Sequence, residues 1–240
     1  MKNNSKIAII GAMDCEIDNL KKLLINLEKI EHRELTIFTG SLHNNTIILA
    51  KSGVGKVNAT LNTQYIIDKF EPDYIINTGV AGGVGTELNV GDIVIAERLV
   101  QHDFDATALG YAKGYICNGI EPQKPTYFYC DKELINDFLN ISKHFSHKTN
   151  VHTGTIATGD TFISSSEKKT ELRNLFETTA VEMEGCAIAQ TATKNGIPFV
   201  VVRAISDLAD GSAPKSLEEV ETTMAEFAVS VTEKMLLETK

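Results

Sequence analysis

The sequence predicts an α/β protein, a three-layer α/β/α sandwich around a mixed, mostly parallel twisted sheet. Three observations carry that expectation. Short runs such as Lys6 to Gly11, Gly91 to Ala96 and Phe199 to Ile205 are apolar on both faces, as strands covered from both sides must be. They alternate with segments whose apolar residues recur at helical spacing, so β and α follow each other along the chain. An early exception, Glu34 to Thr39 and Thr46 to Lys51 flanking His43-Asn44-Asn45, reads as a β-hairpin and makes the sheet mixed.

Taken in order, Lys6 to Gly11 is the first strand, and Ile17, Leu20, Leu23, Leu24 and Leu27 mark a helix after it. Beyond the hairpin, Ser52-Gly53-Val54-Gly55 is a tight loop before a helix from Lys56 to Phe70, with Pro72 at its exit. Asp73 to Thr78 is a strand running into the glycine-rich loop Gly79 to Gly85, and Gly91 to Ala96 is the next strand. Gln101 to Cys130 is rich in aromatics with little periodicity, and is expected to be a lid or a subunit contact. Asp131 begins a helix bearing Leu134, Phe138, Ile141 and Phe145, and His152 to Thr158 returns as a strand that ends in the loop Gly159 to Ile163. Ser164-x-x-Glu167 resembles a capping box for a helix carrying Leu172, Leu175 and Phe176. Gly185 to Lys194 is a short helix stopped by Asn195-Gly196-Ile197-Pro198, and the strand Phe199 to Ile205 follows. A last helix spaces Leu217, Val220, Met224, Phe227, Val231 and Met235 along one face. No repeat or linker interrupts this order, so residues 1 to 240 are expected to form one domain, long enough to bury roughly 70 to 75% of the unfolded chain's surface.

Composition narrows the function. With 23 Lys+Arg against 32 Asp+Glu, the net charge of -9 disfavours a nucleic-acid backbone as partner. Cys15, Cys117, Cys130 and Cys186 form no C-x-x-C pair, so neither a zinc site nor a disulfide framework is expected. The N-terminal MKNNSKIAIIGAMDCE has no long apolar core, and no run approaches a membrane span, so a soluble cytoplasmic protein is expected.

The charges that matter sit at strand ends. Arg203 lies inside an apolar strand and cannot lose its charge, so it needs a carboxylate partner, and Glu182 or Glu184 lies one helix earlier. Ser206-Asp207 ends the same strand, at the sheet edge where open α/β folds bind ligands. The same residues would also serve as a structural ion-pair network with Asp207 as a cap. Glu16 stands in the first βα turn, where a lone acid usually only stabilises a helix start. Phe162, beside Asp160, could stack on a flat base or pack in the core. Two glycine loops fail as nucleotide motifs. Gly83-Val84-Gly85-Thr86-Glu87-Leu88 has leucine where a dinucleotide fingerprint ends on a small residue, and Gly55-Lys56 has Ala50 in place of the first P-loop glycine. What favours a site is convergence: Glu16, Gly79 to Gly83, Asp160 to Ile163, Met183-Glu184 and Arg203 to Asp207 all fall at strand ends of one sheet.

These residues also resemble a family. IIGAMDCE, KSGVGKVNA, INTGVAGG, GDIV, TGDTFI, AVEMEG and FVVVRAISD, in order over nearly the whole chain, are similar to the bacterial 5′-methylthioadenosine/S-adenosylhomocysteine nucleosidases of the nucleoside phosphorylase superfamily. The resemblance implies a nucleoside phosphorylase-like sandwich, a homodimer, and hydrolysis of the N-glycosidic bond of adenosine thioethers, with 5′-deoxyadenosine also accepted and no metal or cofactor. It implies a place in methionine salvage and in clearing by-products of S-adenosylmethionine. Carried over, Glu16 of GAMDCE would activate the attacking water. Asp207 of RAISD would protonate the leaving adenine, with Ser206 and Arg203 in support. Glu184 would hold the ribose hydroxyls, Met183 would line the sugar, Phe162 would stack on the base, and backbone at Ile163 and Gly82 would complete recognition. Val80 stands beside the sugar where many of these enzymes have serine, Cys15 replaces an acid, and Leu217 replaces an aromatic that often closes the thioether pocket.

Cleaving this bond builds positive charge on the ribose and negative charge on the base. An ordinary aspartate titrates at about 3.9, so holding a proton at neutral pH takes a shift of roughly 3 units, about 4 kcal/mol, which desolvation and bound substrate must provide. Phosphorolysis would need cations to hold phosphate, yet the first loop offers Asp14 and Glu16 and no arginine, which favours water as the nucleophile. The rivals are a phosphorylase, an enzyme for another 5′-modified adenine nucleoside such as aminodeoxyfutalosine, and a non-catalytic adenosine-binding relative.

Overall fold

The computed structural model describes residues 4–117, 120–142 and 149–211. Phe145 and the expected final helix, Leu217 included, lie outside them. The elements are β1 (Lys6–Gly11), α1 (Asp18–Leu23), β2 (Ile25–His32), β3 (Leu35–Leu42), β4 (Asn45–Lys51), α2 (Lys56–Phe70), β5 (Tyr74–Gly83), β6 (Ile93–Gln101), β7 (Phe128–Tyr129), α3 (Lys132–Ser142), β8 (Val151–Thr158), α4 (Ser166–Phe176), β9 (Thr178–Glu182), α5 (Gly185–Asn195) and β10 (Phe199–Asp207). Short 3-10 turns cover Asp14–Glu16 and Thr107–Leu109.

Strand alternation divides the core into the two interfaces of a sandwich. Ala8 and Ile10 of β1 pack with Ala59 and Ile66 of α2 and with Ala187 and Ile188 of α5. Ile7 and Ile9 face the other way, against Ile17, Leu20, Leu134 and Phe138 beside α1 and on α3. This is why the central strands show no polar alternation: each face is covered. A smaller cluster, with Leu172 and Phe176 of α4 against Val100, Ala157 and Val181, closes one end.

The sheet runs β10-β6-β8-β9-β5-β1-β4-β3-β2, with β7 on β6 and a further pairing of β10 with β5. Since β5 pairs with both β9 and β10, strands β5, β10, β6, β8 and β9 close into a ring, and β1, β4, β3 and β2 extend from it. β1, β4, β5 and β10 are mutually parallel along their pairings, so their carboxyl ends gather at one edge.

Three local expectations are corrected. The first helix stops at Leu23, and Leu27 belongs to β2, an exposed strand that among the described residues pairs only with β3. There the apolar spacing was misleading, because Leu27 is 43% exposed. Helix α4 is capped by Ser165, which accepts from the Lys168 amide, and not by Ser164. Its Leu175 faces outward. The glycine run after Thr78 is no loop: β5 continues through Gly83, where Gly82 and Gly83 pair with Val181 and Ala180 of β9.

Candidate active site

The site is built behind Arg203. Every residue of β10 is buried, and Arg203 is fully so. The sequence left its partner open between two glutamates, and Glu182 is the closer. Its Oε2 accepts from Arg203 Nη2 at 2.5 Å and from the amides of Gly185 and Glu184 at 2.6 and 3.0 Å, while Oε1 accepts from Thr158 Oγ1. Arg203 Nη2 also donates to Asn77 Oδ1 at 2.7 Å, and it lies 3.8 Å from Glu184 Oε2. Its Nη1 is 4.0 Å from Glu16 Oε1. Burial works against the guanidinium charge, but Glu182, Glu16 and Glu184 outweigh it and hold its pKa above the ordinary value. The close approach requires glycine at 79, where a Cβ would sit 2.1 Å from Arg203 Nη1 and 2.3 Å from Glu16 Oε1.

Glu16 closes the 3-10 turn after β1, and its carboxylate folds back on the chain. Oε2 accepts from the amides of Ala12 and Met13 at 2.5 and 3.0 Å, and Oε1 accepts from the Val80 amide at 3.1 Å. Burial nevertheless dominates and raises its pKa, against Arg203 and those three amides. The result is an oriented acid more basic than an exposed glutamate, which suits a proton acceptor. Glu184 precedes α5, and its Oε1 accepts from the Gly55 amide at 2.8 Å. Burial first, then the neighbouring Glu182, push its pKa up to about 7.

Asp207 reaches the site through an irregularity. Ile205 pairs with Ala81 and Asp207 with Gly82, so Ser206 is an extra residue, and this bulge lets both Ser206 and Asp207 face the same cavity. Asp207 Oδ1 accepts from the Ala209 amide at 2.8 Å and Oδ2 from Ser206 Oγ at 3.0 Å.

These groups surround a cavity of about 240 Å³. Of the expected site residues, Glu16, Val80, Gly82, Phe162, Ile163, Met183, Glu184, Ser206 and Asp207 line it. Arg203, expected among them, does not: it lies behind the cavity, beside Glu16, Glu182 and Glu184, because its side chain is fully buried. Phe162 is 53% exposed, so it is not a core residue, and its ring is free to cover a ligand. Sequence reasoning had Glu182 only as an ion-pair partner, yet it lines the cavity with Thr161, Val181, Ala81, Ala12, Met13 and Val54. Its place beside Glu184 in VEMEG was the available signal. Asp160 is absent from the lining residues and faces the start of α2 instead.

A cavity at the carboxyl edge of this mixed sheet, lined by Glu16, Glu182, Glu184 and Asp207, defines a class of enzyme that works by placing carboxylates around a small ligand. The family model described as Phosphorylase superfamily matches residues 6–237. A 5′-methylthioadenosine/S-adenosylhomocysteine nucleosidase of Staphylococcus aureus (strain JH9) is 43% identical over 213 residues, 88% of this chain and 90% of the relative. The crystal structure of the Neisseria meningitidis nucleosidase in complex with methylthio-immucillin-A aligns with a TM-score of 0.90 at 40% identity, covering 97% of this chain and 98% of that one. The nucleosidase of Colwellia psychrerythraea 34H, in complex with adenine, gives 0.91 at 38% identity, covering 100% and 98%. The chain belongs to the 5′-methylthioadenosine/S-adenosylhomocysteine nucleosidase family.

Proposed function

We propose that this protein hydrolyses the N-glycosidic bond of 5′-methylthioadenosine and S-adenosylhomocysteine to adenine and the 5′-substituted ribose. One observation carries the choice of water as nucleophile: the cavity is lined by Glu16, Glu182, Glu184 and Asp207 and, among the described residues, by no lysine, arginine or histidine. Arg203, which lies behind the cavity, is spent on Glu182, Glu16 and Glu184. A phosphate would meet uncompensated negative charge there, whereas water needs only a proton acceptor. In this reading Glu16 takes a proton from water as its oxygen bonds to the anomeric carbon. The carbon–nitrogen bond breaks toward the base, and Asp207 delivers a proton to the departing adenine. Glu184 accepts from the ribose hydroxyls and stabilises the positive charge that develops on the sugar. Met183 and Val80 bound the sugar, Phe162 stacks on the base, and Gly82, Ile163 and Ser206 complete the pocket.

The test is adenine release from methylthioadenosine in phosphate-free buffer. Release there supports the hydrolase, and release only on adding phosphate makes the chain a phosphorylase. Aminodeoxyfutalosine as competing substrate separates the remaining rival, and 5′-deoxyadenosine tests how far the 5′ substituent can shrink.

A pH dependence follows from Glu184. Its carboxylate must be ionised to hold the ribose hydroxyls, and its pKa in the free enzyme is pushed up to about 7. kcat/KM is therefore expected to fall about tenfold per unit as the pH drops below that value, because protonation removes the acceptor. A profile flat between pH 5.5 and 8 would remove Glu184 from this role.

We further propose one catalytic domain over residues 1 to 240, supported by a family match over 6–237, and a homodimer. Val54, Val57 and Leu61 lie on one side of the start of α2 and are 49%, 70% and 60% exposed, an apolar strip that adjoins the cavity through Val54. Sedimentation showing only monomer at micromolar concentration would reject the dimer. A cytoplasmic place in methionine salvage accords with the net charge of -9 and the four cysteines without a C-x-x-C pair; it is checked by fractionation and by growth on methylthioadenosine as sulfur source.

A further inference from the structure

The loop that presents Phe162 is held by groups outside the cavity. Among the described residues, Gly159 to Ile163 have one backbone tie to the sheet, Gly159 N to Glu182 O at 3.2 Å. Ile163 is buried against Leu172, Phe176 and Val181, and the remaining polar ties given for the loop come from Asp160. Its amide donates to Asp103 Oδ2 at 2.9 Å, and its Oδ1 accepts from the Lys56 amide at 2.8 Å. The Lys56 ammonium then joins the two acids, donating to Asp103 Oδ1 at 2.6 Å and lying 3.8 Å from Asp160 Oδ2. It also donates to Gln101 Oε1 at 3.2 Å, and Gln101 Nε2 in turn donates to Gln190 of α5 at 2.7 Å.

This is not an ordinary surface ion pair. The Lys56 and Asp103 side chains are 18% and 24% exposed, and each oxygen of Asp103 has its own donor. Burial favours the neutral form of Asp103, but Lys56 and the Asp160 amide outweigh it and hold its pKa below the usual carboxylate range. Beneath the loop, Gly159 lies against the buried ring of His102 so closely that a Cβ would fall 2.4 Å from it. The arrangement gains its meaning from Gly55, one residue before Lys56. Its amide holds Glu184 at 2.8 Å. Consecutive amides at the start of α2 thus bind the acid on the ribose side of the cavity and the acid that anchors the base side.

We infer that Lys56, paired with Asp103, is a positioning residue for glycosidic cleavage: it locks the Asp160 to Ile163 loop to the helix end that orients Glu184, so one joint sets the spacing between base and ribose contacts. The inference rests on the nucleosidase reading above. Neither Lys56 nor Asp103 lines the cavity, so their effect passes through Phe162 and Glu184. A methylene stem without the charge would leave the loop tied to the start of α2 only by the Lys56 amide and would leave Asp103 without its cation.

The experiment compares Lys56→Met, Lys56→Arg and Asp103→Asn with wild type in kcat and KM for methylthioadenosine, in calorimetric affinity for adenine, and in Tm. Misplacing a binding group by about 1 Å can cost 10²-fold, so Lys56→Met is expected to lower kcat/KM by about 10 to 100-fold. Most of that loss should appear in KM, with weaker adenine binding and a Tm within a few degrees of wild type. Lys56→Arg should restore most of the loss, and Asp103→Asn should reproduce it in a chain that keeps its lysine. Adenine affinity and KM within twofold of wild type in both Lys56→Met and Asp103→Asn would overturn the inference, as would losses that simply track Tm. An inactive wild type would overturn the nucleosidase reading instead; an active wild type beside unaffected variants overturns this inference alone.

Discussion

Asp207→Asn is expected to lower kcat for adenine release by about 10² to 10⁴-fold, the usual worth of a general acid, with Tm and substrate affinity little changed. The substitution is nearly neutral to the fold because an asparagine carbonyl can still accept from the Ala209 amide, and its NH₂ can donate to Ser206 Oγ, whose hydroxyl rotates to accept. Only the transferable proton is lost. Glu16→Gln should cost a similar factor in kcat, but for a different reason and with a second signature. Three amides donate to the Glu16 oxygens, and Arg203 Nη1 lies 4.0 Å from one of them. A glutamine must turn its NH₂ toward one of those donors, which leaves a buried clash worth about 1 to 3 kcal/mol. The pair therefore separates by stability: both variants lose turnover, and Glu16→Gln alone loses several degrees in Tm. Either variant keeping more than a tenth of wild-type kcat would exclude that acid from proton transfer.

The largest expected effect on stability belongs to Arg203→Met. The guanidinium is fully buried and faces Glu182, Glu184 and Glu16, so its removal leaves three largely buried carboxylates without their counter-charge. Breaking a buried pair by deleting one partner costs about 3 to 5 kcal/mol. For a chain of this size that corresponds to a Tm lower by roughly 10 °C. The sign of its pH dependence is fixed as well. The stranded glutamates are relieved by protonation, so the gap to wild type should narrow as pH falls from 8 toward 6. A gap that is small, or that widens on acidification, would mean that Arg203 does not carry the acids.

Much of this was legible in the chain because local physics forces it. Phe-Val-Val-Val around an arginine can only be a covered strand holding a paired charge, and Lys56 to Phe70 announced a helix with the observed bounds. Acids placed just after apolar runs marked the strand-end edge, and nine of the ten expected site residues line one cavity there. Where local signals failed, a weaker one was competing. Leu27 kept helical spacing in an exposed edge strand held chiefly by its pairing with β3, and the glycines after Thr78 read as a loop because a glycine run carries no record of the strands beside it.

By itself, then, the sequence determined the alternation of strands and helices, the need of Arg203 for a carboxylate, and the family resemblance that gathers Glu16, Glu184 and Asp207 into one site. Tertiary structure alone decided that Glu182 is the nearest partner, that a bulge at Ser206 turns Asp207 into the cavity, and that five strands close into a ring. It also joined Gly55 to Glu184 and Lys56 to Asp160, across 129 and 104 positions of chain. Periodicity reports which face of an element is buried, because that depends on spacing along one segment. It does not report which distant group completes a buried hydrogen bond, since that partner is chosen only when the layers pack.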